Sequence, residues 1–312
     1  MSVLTKLAAF SAALLVAFAV AVGVGRLSGV DGRETGDTTQ IDHAADDMAM
    51  ADSDAGHNEH AADESAEAAE ASVPGGLEVA QDGYAIELLD HAEEPGREQP
   101  LEFRITGPDG APVTGFTPTH EAELHLIVVR RDLTGYQHVH PTMDADGTWS
   151  IPFSFDQAGT YRVFADFMPD GADSAMTLGV DVAVAGEFTP EPLAAPSPTA
   201  EIDGYTVTLD GDILAGDEST LTLSVRLDGE PVTDLQPYLG AYGHLVALRD
   251  GDVAYLHVHP EGEPDDGRTA PGPEVSFVVE VPSEGAYRLY FDFRHDNTVR
   301  TVEFTVETNH DD

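Results

Sequence analysis

Six histidines recur at fixed spacing along the chain. His125, His138 and His140 form a His-x12-His-x-His-Pro block ending at Pro141. His244, His257 and His259 repeat it without a gap, ending at Pro260. Imidazole nitrogens ligate borderline ions such as Cu(II) and Zn(II), but only if the fold brings them to one point. A hairpin does so. Leu124–Arg130 reads as a strand and 136–140 as its returning partner. With Asp132 and Leu133 at the tip, His125 lies opposite His140, and Ile127 lies opposite His138. Opposed residues share a face, as do alternate residues along a strand, so all three histidines point the same way. In the second block the tip falls at Gly251 and Asp252. His244 then opposes His259, with His257 beside them. Nitrogens of one four-coordinate site should lie roughly 3–4 Å apart, and affinity should fall as pH drops through about 6.5.

A carboxylate is a candidate fourth group. Asp166 sits in the aromatic strand Thr160–Phe167, and Asp292 matches it in the second copy. A buried Asp needs a charge, a hydrogen bond or a metal. Met168 shares the face of Asp166, but Arg294 stands in its place in the second copy, followed by His295. Two chemically different sites are therefore expected, one per copy.

The elements that must position these groups are short. Runs such as Tyr84–Leu89, Leu101–Thr106, Trp149–Phe155 and Met176–Ala185 alternate with Gly, Pro and Asp, and no long helical period occurs. This is the pattern of an all-β, Ig-like sandwich. The plan then repeats. Asp109-Gly-Ala-Pro-Val-Thr matches Asp228-Gly-Glu-Pro-Val-Thr, and Gly159-Thr-Tyr-Arg matches Gly285-Ala-Tyr-Arg. A period of this length means duplicated domains rather than a solenoid. The expected repeats span 77–189 and 199–308, joined by a Pro-rich spacer at 190–198.

The chain has 312 residues, 14 Lys plus Arg against 58 Asp plus Glu, a formal charge of −44 and no Cys. Such acidity leaves no basic surface for nucleic acid and attracts cations. The missing Cys removes disulfides, thiolate zinc sites, cysteine nucleophiles and type 1 copper. No Gly-x-Ser-x-Gly elbow or Gly-rich phosphate loop is present, which points to a non-catalytic protein.

Residues 1–26 read as an uncleaved signal anchor, with a cleaved signal peptide as the rival. Lys6 precedes an apolar run from Leu7 to Val24. Both readings place the rest outside the cytoplasm. Residues 27–76 carry almost no large apolar side chain and are expected to be a disordered acidic linker. It contains His43, Met48, Met50, His57 and His60, which could capture copper or be incidental to a solvated tether.

In general layout the two repeats resemble small extracytoplasmic β-sandwich copper proteins of the copper-resistance CopC type and YtkA-like secreted domains. His125, His138 and His140, with His244, His257 and His259, carry the resemblance. It implies the fold class and a metal theme. The expected function is extracytoplasmic binding of copper, with zinc second, as a chaperone, buffer or resistance protein. A membrane metal transporter is its natural partner. The alternative is a non-catalytic cell-surface interaction module that binds a protein and whose histidines are structural.

Overall fold

The computed structural model describes residues 73–89, 94–256 and 258–308, and these fall within one compact unit, Ala68–Asp312. The expected anchor, most of the linker and His257 lie outside the described residues. Among the described residues no helix is long and apolar enough to cross a membrane.

The first repeat contains β1 (Ala80–Gln81), β2 (Tyr84–Leu89), β3 (Gln99–Thr106), β4 (Leu124–Arg130), β5 (Gln137–Val139), β6 (Thr142–Met143), β7 (Thr148–Phe153), β8 (Gly159–Phe167) and β9 (Met176–Val184). The second contains β10 (Thr199–Ile202), β11 (Tyr205–Asp210), β12 (Glu218–Leu227), β13 (Glu230–Pro231), β14 (His244–Arg249), β15 (Tyr255–Leu256), β16 (His259–Pro260), β17 (Glu274–Glu280), β18 (Ala286–His295) and β19 (Thr298–Glu307). Each repeat is a two-sheet sandwich of the same topology. The first pairs sheet β1-β2-β3-β7-β6 with sheet β5-β4-β8-β9. The second pairs β10-β11-β12-β17-β16, with β13 beside β12, against β15-β14-β18-β19.

Each sandwich encloses its own core. Phe103, Leu126, Trp149, Val163 and Phe167 belong to the first, and Val207, Leu223, Leu245, Phe277 and Phe291 to the second. A third apolar cluster joins the repeats. It contains Ile127, Val129, Leu133 and Phe164 from the first and Val246, Leu248, Val253, Tyr255 and Tyr290 from the second. The period of the strands explains how one sheet serves two clusters. Leu124, Leu126 and Val128 point into the first core, while Ile127 and Val129 point into the join. All seven residues of β4 are therefore buried. Strand β14 divides in the same way, with Leu245 and Ala247 inward and Val246 and Leu248 at the join.

Polar contacts fix the join. Tyr290 donates its hydroxyl to the Leu133 carbonyl at 2.8 Å and stacks on Tyr136 at 3.9 Å between centroids, 7° from parallel. Residues 73–76, expected to be part of the disordered linker, are instead tied to both repeats. The Gly75 carbonyl accepts from Tyr255 N–H at 2.9 Å, and Gly76 N–H donates to the Thr177 carbonyl at 2.8 Å. Backbone groups make these bonds, so apolar side chains are not needed. Gly76, at φ +73°, fits because a Cβ there would lie 2.4 Å from the Phe164 ring. The spacer also folds back. Leu193 packs on the join, and Glu191 N–H donates to Asp132.

The join should unfold cooperatively with the sandwiches. Tyr290→Ala removes the stack and the cross-repeat hydrogen bond and should cost about 3–5 kcal/mol. In differential scanning calorimetry the variant should show two separated transitions where the parent shows one. A single transition at the parent temperature would mean that the apolar join contributes little.

Candidate metal centre at the join of the two repeats

The β4–β5 turn sets the register of the histidines. Arg130, 1% exposed, grips Asp132 through Nε–Oδ1 and Nη2–Oδ2 contacts, both 2.8 Å. Arg249 and Asp252 make the equivalent fork in the second repeat. The register that follows pairs Ile127 with His138 and Val128 with Gln137, as a tip at Asp132 and Leu133 requires. In the second repeat Leu248 pairs with Tyr255, consistent with a tip at Gly251 and Asp252.

The first triad converges. His125 Nδ1 lies 3.1 Å from His138 Nε2 and 3.1 Å from His140 Nε2. Of the second triad, His257 lies outside the described residues. Pairing of β14 with β15 ends at Leu256, and His259 crosses to the other sheet, where it pairs with Val278 and is exposed. His244 joins the first triad instead. One ring nitrogen from each of His125, His138 and His244 lies within 4.8 Å of the other two. Among the described residues, one cluster drawn from both copies is found where one site per copy was expected. The reason is the join: each outer sheet face is covered by the other repeat, so residues alternating outward from β4 and β14 meet.

The carboxylates take different places from those expected. Asp292 sits opposite His244 on β18, but its Oδ2 accepts from His138 Nδ1 at 3.0 Å, across the repeats. Its Oδ1 accepts from Thr301 at 2.6 Å. Asp166 sits opposite His125 and accepts from Thr177 at 3.2 Å and from Tyr255 of the other repeat at 3.4 Å. Asp292 therefore orients a histidine rather than joining the nitrogens, and Asp166 lies outside the three-nitrogen group.

These partners decide where the protons sit. The Thr119 carbonyl, 2.9 Å from His125 Nε2, can only accept, so that nitrogen carries hydrogen. A neutral His125 then has a bare Nδ1. The Asp292 carboxylate likewise takes the hydrogen on His138 Nδ1, leaving Nε2 bare in the neutral ring. Two bare nitrogens 3.1 Å apart repel, and a proton or a metal ion between them turns the contact into attraction; a neutral His140 can also donate its Nε2–H to His125 Nδ1. Burial, above all, pushes the His125 pKa down to about 4 and that of His140 down to about 3. Both rings are thus neutral and able to ligate near pH 7. Tyr136, also beside the cluster, has its pKa raised far above the usual phenol range by burial first and Asp292 second.

Two further rings border the cluster that the repeat pattern did not single out. His120, on the loop before β4, has its centroid 6.1 Å from His125 and 6.3 Å from His244. Tyr238 lies 6.5 Å from both His138 and His140. Under the repeat offset His120 corresponds to Leu239, so a search for duplicated histidines passes over it. Its position five residues before His125 was the only signal in the sequence.

The sequence matches none of the curated proteins. Solved structures give loose likenesses only. Invasin, described as a bacterial integrin-binding protein, is 15% identical, with a TM-score of 0.21 over 72% of this chain and 39% of its own. The D00-D0 domain of intimin is 8% identical, with a TM-score of 0.22, covering 73% of this chain and all (100%) of that one. Domains 4 and 5 of the S-layer protein SbsC are 12% identical, with a TM-score of 0.20 over 75% and 100%. The chain spans about two fifths of the invasin structure, and scores this low carry no functional inference. The family profile that matches is not a copper-resistance profile. It covers residues 78–184 and again 200–310, the two repeats found in the fold. By that match, the chain belongs to the DUF8832 family, a domain of unknown function.

Proposed function

We propose that the chain is a non-catalytic, extracytoplasmic two-domain module that binds one transition-metal ion, copper first and zinc second, at the join of its repeats. The observation that carries this reading is the pair of converging nitrogens of His125 and His138, with His244 within reach. Two imidazoles on a tetrahedral ion at about 2.0–2.1 Å place their nitrogens roughly 3.3 Å apart, close to the 3.1 Å found here. The hydrogen-bond partners suit a metal too. Ligating histidines almost always give their other N–H to a carboxylate or carbonyl, as His138 does to Asp292 and His125 to Thr119. His140 and His120 stand next to the cluster as further ligands. An excess of acidic side chains raises the local concentration of cations. Buffering or delivering copper, with a membrane transporter as recipient, is the role that fits an anchored ectodomain.

One observation favours a second reading. The side chains of His138 and Asp292 are each 2% exposed and in contact. If His138 is an imidazolium paired with Asp292, its Nε2–H donates to His125 Nδ1, and a proton alone satisfies the cluster. The histidines are then a structural latch, and the chain is a cell-surface interaction module whose partner binds elsewhere.

Metal analysis separates the two. Isothermal titration of the protein with Cu(II) should give one tight site per chain. Asp292→Asn should weaken it about 10–100-fold through loss of the orienting partner, and His138→Ala should abolish it. Two equal sites per chain would return the ligands to separate repeats, and no binding would leave the latch.

Acid should destabilise the metal-free protein under either reading. The folded pKa values of His125 and His140 lie below the ordinary 6.5. The unfolded chain therefore binds more protons, and stability present above about pH 6.5 is lost as pH falls towards 4. Urea midpoints at pH 7.5, 6 and 4.5 should decrease in that order. The decline should be shallower in a His140→Phe variant, and a flat profile would contradict the buried placement of these rings.

A further inference from the structure

The ligands of the candidate site come from both repeats, His125 and His138 from the first and His244 from the second. Beyond holding an ion, this geometry has a mechanical consequence. We propose that the bound ion is a staple between the two sandwiches, so that metal occupancy controls how tightly the repeats hold each other. The inference rests on the metal reading above.

Three features support it. First, each repeat is complete in itself, with two sheets and its own core, so separation of the repeats leaves both cores closed. Second, polar groups of the join pair across it. Asp292 takes the His138 hydrogen across the join, and Asp166 takes the Tyr255 hydroxyl in the opposite direction. Third, the converging nitrogens of His125 and His138 belong to the first repeat and a nitrogen of His244 to the second, so an ion held by all three links the two sandwiches. An ion that binds the joined state better than the separated one must stabilise the joined state by the same factor. The covalent connection does not enforce the join, because residues 194–198 are exposed and in no strand.

This predicts reciprocal coupling. Among the described residues, separated repeats keep only the partial set His125, His138 and His140 on one side and His244 on the other. With free metal at 100 times the dissociation constant of the joined site, association should tighten on the order of tenfold to a hundredfold. The ion is thus an effector of domain arrangement as well as a cargo. An ectodomain that loosens on metal loss would expose the apolar faces of Ile127, Val129, Val246 and Leu248.

The test uses the whole chain with a protease recognition sequence inserted between Ala195 and Pro196, cut after folding. Association of the two halves is followed by sedimentation with CuSO4 and with a chelator. Where the halves remain together at the lowest usable concentration, the exchange rate of a fluorescently labelled half is measured instead. Copper should tighten association or slow exchange by tenfold or more. His244→Gln should remove that difference, read as the ratio of the copper and chelator values within the variant. Calorimetry on the uncut protein keeps the two claims apart. Copper binding with no change in association or exchange overturns the staple and spares the metal site. No copper binding overturns the metal reading, and the staple with it.

Discussion

Everything distinctive about this molecule depends on two strands that are buried on both faces. Strands β4 and β14 each send one set of side chains into a sandwich core and the other set into the contact between sandwiches. A single Ig-like sandwich leaves the outer face of such a sheet to water. Here each outer face is covered by the other repeat, so a face carrying histidine, tyrosine and aspartate becomes an interior. Burial then dictates the chemistry, because polar groups removed from water must find partners among themselves.

The partners they find cross the join in both directions. His138 meets Asp292, Tyr255 meets Asp166 and Tyr290 meets the Leu133 carbonyl. Large apolar side chains contribute about 1.5–3 kcal/mol each when fully buried, so the Ile, Val, Leu and Tyr residues of the join supply its gross attraction. The polar pairs supply orientation. They also hold two imidazoles, His125 and His138, 3.1 Å apart in the buried contact.

Duplication produced a symmetric fold and an asymmetric site. Apart from the short β13, the sheets of the two repeats correspond strand for strand, and the turn forks Arg130–Asp132 and Arg249–Asp252 correspond as well. The returning strands then diverge. In the first repeat β5 continues beside β4 through Val139, which keeps His140 against His125. In the second, β15 stops at Leu256 and His259 moves to the opposite sheet. The loops before β4 and β14 differ too, with His120 on one and Leu239 on the other. Among the described residues, the cluster draws mainly on the first repeat.

The all-β class, the two repeats, the strands and the hairpin register were legible in the amino-acid sequence, because each follows from short-range rules. Side-chain alternation, turn residues and a constant offset between copies act over a few residues or between aligned blocks. They were enough to bring His125, His138 and His140 to one face and to place Asp166 and Asp292 in facing strands. The unbroken burial of β4 had a trace in the sequence as well: Leu-His-Leu-Ile-Val-Val-Arg is apolar on both faces, which suits a strand covered on both sides. What covers the second face could not be read that way. Only the tertiary structure decided that His244 completes the cluster, that Asp292 serves His138, that His259 leaves it and that His120 stands beside it. The reason is that contacts between sandwiches depend on the complementarity of two whole surfaces. No spacing along one chain encodes which outward face will meet another, or at what angle.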